Sequence, residues 1–120
     1  MKEFSSAWVA SKKPGKQRKY RANAPLHTKR KFLCAHLTDA LIDKHKKRSL
    51  RLRVGDTVKV LRGQYKGRTG KVQEIDTKKT EVIISGIDVQ KADGTKSARP
   101  ISPSNLMITE LITEDKKRFK

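Results

Sequence analysis

The chain has 120 residues, 30 of them Lys or Arg and 12 Asp or Glu, for a formal charge of +18. With 34% hydrophobic and 5% aromatic residues, a large core is excluded, and one small barrel of roughly 50–60 residues with extensions is within reach. No run approaches the ~20 apolar residues of a membrane span, no apolar stretch resembles a secretory signal, and a single cysteine, Cys34, allows no internal disulfide; these sums disfavour membrane, disulfide-scaffold and ordinary metabolic-enzyme classes.

Residues 1–25 read as an extended basic arm. It carries Lys12, Lys13, Lys16, Arg18, Lys19 and Arg21, with Phe4, Trp8, Val9 and Tyr20 as almost its only apolar content. Such a composition does not repay ordering entropy alone and is expected to order on a partner. Residues 1–53 hold 16 basic and 3 acidic residues, against 14 and 9 in residues 54–120. A chain this cationic repels itself and is stabilised by a polyanion. A membrane-surface helix needs an apolar face; residues 11–22 offer none, and Pro14 and Gly15 are expected to break any helix there. Nucleic acid is therefore the favoured partner. Trp8 and Tyr20 suit either stacking on unpaired bases or packing against the body of the protein.

Residues 26–48 read as a short helical segment, one or two helices with a break near His36–Thr38. Leu26, Phe32, Leu33 and Leu37 give a weak helical period, and Thr38-Asp39 resembles an N-cap. Leu37, Leu41 and Ile42 are the expected buried stripe. Lys44, Lys46, Lys47 and Arg48 should face outward and merge with Arg51 and Arg53 into a binding face.

From residue 50 the period becomes two. Leu50, Leu52 and Val54 alternate with arginines, followed by expected strands over 57–61, 70–75 and 80–84. Asp76-Thr-Lys-Lys79 reads as a hairpin turn, and Asp93-Gly94 joins strands 88–91 and 96–101. Pro100 and Pro103 end the last of these by Ile101. Ser102-Pro-Ser-Asn105 is a turn, and a final strand over 106–111 closes the sheet. The fold class is mainly β: a small SH3-like barrel over 49–112 with a hairpin extension, preceded by the arm and short helices, followed by a frayed polar tail over 113–120.

The stretch from Arg53 to Val72 has its own logic. Gly63 and Gly67 bracket the tight loop Arg62-Gly-Gln-Tyr-Lys-Gly-Arg68, which presents Arg62, Lys66 and Arg68. Arginine bonds phosphate bidentately, and lysine acts as a point charge. This stretch resembles the KOW motif of ribosomal proteins and transcription elongation factors. The resemblance widens with Ala24-Pro-Leu-His27 and the basic helix after it, Arg48-Ser-Leu50, Lys91-Ala-Asp-Gly94 and Pro100-Ile-Ser-Pro-Ser-Asn-Leu-Met-Ile108. In that order they resemble the universal large-subunit ribosomal protein twenty-four family, called twenty-six in eukaryotes, over nearly the whole chain and in its compact archaeal-like form. One departure is Ser102, where relatives often have His.

The resemblance implies a structural protein of the cytoplasmic ribosome. It would bind large-subunit ribosomal RNA in its 5′ region, act early in subunit assembly, and lie beside neighbouring proteins near the tunnel exit. It carries Arg62, Lys66, Arg68 and Lys71 over as the RNA-facing loop, and Ser104 and Asn105 as a turn that either touches RNA or is purely structural. Together with the arm cations, His27, Arg30, Lys31, Arg48, Arg51 and Arg53 complete the candidate RNA-binding set. Two alternatives stand beside this reading. A KOW-type elongation or antitermination factor usually carries a separate α/β domain, for which the first 50 residues are too basic. A proline-peptide adaptor needs an aromatic groove, and the barrel region supplies only Tyr65. Cys34 and His36 do not amount to a zinc site, and Gly63 to Gly67 lacks the Gly-Lys-Ser/Thr ending of a nucleotide loop. No metal, cofactor, enzyme activity, membrane insertion or homo-oligomer is expected.

Overall fold

Alternation along short segments builds the sheet. A computed structural model describes residues 4, 5, 7, 8 and 10–119; Val9 and the ends of the arm and tail lie outside the described residues. In β3 (Thr57–Val60) and β5 (Glu81–Ile84) every second side chain is buried. The same holds for Leu106 and Ile108 of β8 (Leu106–Glu110). These residues join Leu37, Leu50, Leu52, Val72 and Ile87 in one core, whose buried members are all aliphatic. Each fully buried side chain of this size contributes about 1.5–3 kcal/mol, and together they offset the ordering of a short chain.

Six strands form one sheet in the order β2-β1-β8-β3-β4-β5. They include β1 (Cys34–Leu37), β2 (Ser49–Arg51) and β4 (Thr69–Asp76). The last strand in sequence is thus central: β8 runs parallel to β1 and antiparallel to β3. Pairing of Val82 with Ile101 continues the β5 edge, and the architecture is that of a small, mainly β barrel. Gly70 lets β4 and β5 approach, because a Cβ there would meet the Ser85 carbonyl oxygen at 2.5 Å. The expected hairpin forms between β6 (Asp88–Gln90) and β7 (Lys96–Ala98). Asp93 accepts both the amide and the hydroxyl of Thr95 in its turn, and these bonds hold its carboxyl below the usual range.

Three expectations are corrected. The arm is not extended throughout: α1 spans Pro14–Asn23. Proline is a favoured first helical residue, where its missing N–H costs nothing and its φ is already helical, so Pro14 starts a helix instead of breaking one. The segment over 26–48 is not purely helical. Between α2 (Leu26–Phe32) and α3 (Asp39–His45) lies strand β1, with Ala35 and Leu37 buried and His36 exposed. Thr38 does stand at the α3 N-cap, without a side-chain capping bond. The tail does not fray. Lys116–Phe119 form a 3-10 turn that buries Arg118. Phe119 stacks on His45 at 4.6 Å and 11°. Among the described residues no helix is long and apolar enough to cross a membrane.

Candidate nucleic-acid interface

A buried ion pair organises the largest concave surface. Asp56 turns the chain into β3: it is fully buried and accepts the Arg53 amide at 2.9 Å and the Ile112 amide at 3.2 Å. Arg118 meets it with both terminal nitrogens, Nη1 bonding Oδ1 at 2.8 Å and Nη2 bonding Oδ2. The same guanidinium donates to the carbonyls of Ile112 at 3.2 Å and Arg51 at 2.9 Å. One side chain from the end of the chain thereby ties down β2 and the turn before β3.

Beside this anchor lies a groove of about 880 Å³. Its cations come from four places: Arg30 on α2, Lys47 after α3, Arg51 and Arg53 at β2, and Lys117 in the tail. Arg53 also pairs with Asp115 at 2.7 Å, with both partners partly exposed. Such a pair is worth little in water and leaves the arginine able to exchange partners. Lys29 donates to the Lys78 carbonyl at 3.1 Å, which fixes α2 against the β4–β5 turn and sets the position of Arg30. Cys34 lines the groove floor. Partial burial pushes its thiol above the ordinary 9.0, while the charge of Arg51 works in the opposite direction.

The glycine-bracketed loop between β3 and β4 forms a second cationic surface. Gly63 and Gly67 have φ of +97° and +87°, values that glycine adopts without strain. The Gly67 amide bonds the Val60 carbonyl at 2.8 Å, and the Arg68 carbonyl accepts the Val60 amide at 2.9 Å, so the loop closes tightly. Arg62, Lys66 and Arg68 are left exposed, with the Arg68 guanidinium 5.3 Å from the Tyr65 ring centre. The Leu61 amide bonds the Asn105 carbonyl at 2.8 Å. Arg62 therefore shares a concavity of about 170 Å³ with Ser102, Asn105 and Arg99. Ser104 is exposed and its hydroxyl lies 3.0 Å from that of Ser102. Lys71 is exposed on β4, where its amide bonds the Ser85 hydroxyl.

The arm forms the third surface. Lys12 and Lys13 precede α1, and Lys16, Arg18, Lys19 and Arg21 are exposed along it. Arg21 lies 5.6 Å from the Phe32 ring centre, which holds α1 against α2. His27, Arg30 and Lys31 share one face of α2 by their spacing, and all three are exposed. Arg48 is exposed, while its carbonyl accepts the Leu37 amide.

The structure brings Arg30, Arg51 and Arg53 into one groove and Arg62 and Asn105 into one concavity. The arm cations are placed apart from both. Three further cations join these surfaces: Lys47 and Lys117 in the groove, and Arg99 beside the loop. Lys47 stands in the basic run that merges with Arg51, so its place could be read locally. Lys117 reaches the groove only because Arg118 anchors the tail. Among the described residues no cluster of three or more metal-ligating side chains exists.

Comparison with known proteins gives a consistent result. The sequence model of the family that comprises the eukaryotic ribosomal proteins L26 and their archaeal counterparts of the uL24 type matches residues 11–120. The large ribosomal subunit protein uL24 of Methanocella arvoryzae is 51% identical over 110 residues, covering 92% of this chain and 89% of that protein. The uL24 proteins of Methanocorpusculum labreanum and Methanospirillum hungatei are each 49% identical. Those alignments cover 93% of both chains in the first case and 92% of both in the second.

Proposed function

Because this chain belongs to the ribosomal protein family that unites eukaryotic L26 with archaeal uL24, a structural component of the large subunit in the cytoplasm, we propose that it binds large-subunit ribosomal RNA through its three cationic surfaces. The observation that carries this reading is the groove, where Arg30, Arg51 and Lys117 converge from distant segments around an anchored floor. Phosphates and 2′-hydroxyls are the fitting ligands, because an A-form helix hides its base edges in a deep groove. Selectivity then comes from RNA shape. The loop cations Arg62, Lys66, Arg68 and Lys71 serve the same chemistry on a second RNA segment, and Ser104 and Asn105 lie at its margin. The arm cations Lys12, Lys13, Lys16, Arg18, Lys19 and Arg21, with His27, Lys31 and Arg48, extend the contact. We place the RNA target in the 5′ region of the large-subunit transcript. We further assign the protein to early subunit assembly and to a position among neighbouring proteins near the tunnel exit. Its role there is structural.

The test is binding of the full chain to a transcript of that 5′ region across a salt series. Each neutralised phosphate releases counterions, so the logarithm of affinity should fall linearly and steeply with the logarithm of salt. An affinity that stays level from low to high salt refutes the electrostatic account. Sedimentation with large subunits, rather than copurification with RNA polymerase, separates this reading from that of a transcription factor.

A further inference from the structure

Four of the six aromatic residues, Phe4, Trp8, Tyr20 and Phe32, gather outside the barrel. Tyr20 is their centre. Trp8 stacks on it at 4.4 Å and 25°, Phe4 lies 5.0 Å away at 42°, and Phe32 meets it edge-on at 6.2 Å. Phe4, Trp8 and Tyr20 are only half-buried, and α1 buries no residue at all. The rings therefore stay open to solvent.

What lies open is a concavity of about 250 Å³. Phe4, Trp8 and Tyr20 supply its apolar surface, and Lys16 and Lys19 stand at the same site. Lys16, Lys19, Tyr20 and Asn23 recur at helical spacing, so α1 turns both ammonium groups and the phenol ring to one side. Ser5 and Asn23 add a hydroxyl and an amide. The volume is below the roughly 300–1,000 Å³ of pockets for drug-sized ligands and suits a single planar ring system. No acidic residue occurs from Phe4 through Thr38, so the surroundings favour a ligand that is planar, apolar on its faces and attached to negative charge.

We propose that this pocket receives one unpaired nucleobase of RNA, stacked against the aromatic surface, with Lys16 and Lys19 on its flanking phosphates. The proposal rests on the RNA-binding reading and deepens it by separating base stacking on the arm from phosphate contact at the barrel. A paired base presents no free face, so the target is single-stranded: a loop, bulge or end. Aromatic stacking of this kind tolerates any base. Phe4 and Trp8 precede the residues that the family model matches, so part of the pocket lies outside the stretch shared across the family.

Trp8 is the only tryptophan, and its fluorescence reports on the pocket directly. The full chain is titrated with an oligoadenylate and, separately, with inorganic polyphosphate of matched charge. Both should bind in a salt-dependent way, and only the oligoadenylate should quench the tryptophan. The exposed double variant Lys16→Ala/Lys19→Ala should need about tenfold more oligoadenylate for half the quench. Tyr20→Leu should lose the quench while its affinity for polyphosphate is unchanged; because this substitution loosens the cluster itself, the lysine variant is the independent check. Equal quenching by polyphosphate, or by an acidic peptide without bases, overturns the proposal. So does a lysine variant that behaves as the original. If the quench fails while the ribosomal transcript still binds with steep salt dependence, the pocket is refuted and the general RNA-binding reading stands.

Discussion

Replacing Arg118 by Met tests whether the end of the chain is part of the fold. Asp56 and Arg118 are 0% and 8% exposed. Removing the guanidinium leaves a buried carboxylate with two amide donors, those of Arg53 and Ile112. It also deprives the Ile112 and Arg51 carbonyls of a donor. Breaking a buried pair by deleting one partner costs about 3–5 kcal/mol. The two remaining amides keep Arg118→Met near the lower end, about 3 kcal/mol, a large share of the roughly 5–15 kcal/mol that holds a domain together. For a chain of this size that corresponds to roughly 12 °C in Tm. Urea unfolding followed by far-ultraviolet circular dichroism, at one fixed ionic strength, measures it. Asp56→Asn should cost a similar amount, because its new NH2 group faces a donor. A loss below about 1 kcal/mol, the range of exposed pairs, would show that the tail is loose in solution and that the groove lacks its anchored floor.

The loop variant Arg62→Ala/Lys66→Ala/Arg68→Ala should keep its circular dichroism and lower the salt slope of transcript binding by about one for each phosphate that is no longer neutralised; an unchanged slope removes the loop from the interface. Gly70→Ala forces a Cβ against the Ser85 carbonyl and Ile84 and should cost about 1–3 kcal/mol in thermal melting, whereas an unchanged Tm would mean that β4 and β5 stand further apart. Cys34 is a chemical probe of the groove: saturating RNA should slow its alkylation, and equal rates with and without RNA would place the RNA elsewhere. Because the folded Cys34 pKa is raised, its neutral form contributes stability that is intact below the unfolded value and is lost as pH rises through the folded value. Unfolding free energy should therefore decline above pH 9.0 in the original and less so in Cys34→Ala, which a pH series of urea melts reads directly.

Strands are legible where apolar residues alternate over several positions, as at Val58 and Val60 or at Val82 and Ile84. β1 is harder, because Cys-Ala-His-Leu is short and follows a helical run; only its pairing with both β2 and β8 makes it a strand. Pro14 misleads because proline is a breaker in a helix interior and a starter at its first residue, and local sequence does not say which position it occupies. The exposed cations are visible as such, but their grouping is not. Arg51 and Lys117 are brought together by a hydrogen-bonded carboxylate 62 residues before Arg118, and no local pattern encodes that distance. Arg62 and Asn105 share a surface for the same reason, through the bond from Leu61 to Asn105.

The central place of β8 has a temporal consequence. With Leu106–Glu110 removed, the sheet order separates into the β1–β2 pair and the β3–β4–β5 meander. During synthesis, which proceeds from the N-terminus, those two halves emerge without the strand that joins them. Arg118, which fastens the result, emerges later still. Final closure must therefore wait for nearly the whole polypeptide to clear its own ribosome, and the non-local pairing makes this a slow step. Until then the cationic arm is free to engage RNA ahead of the barrel.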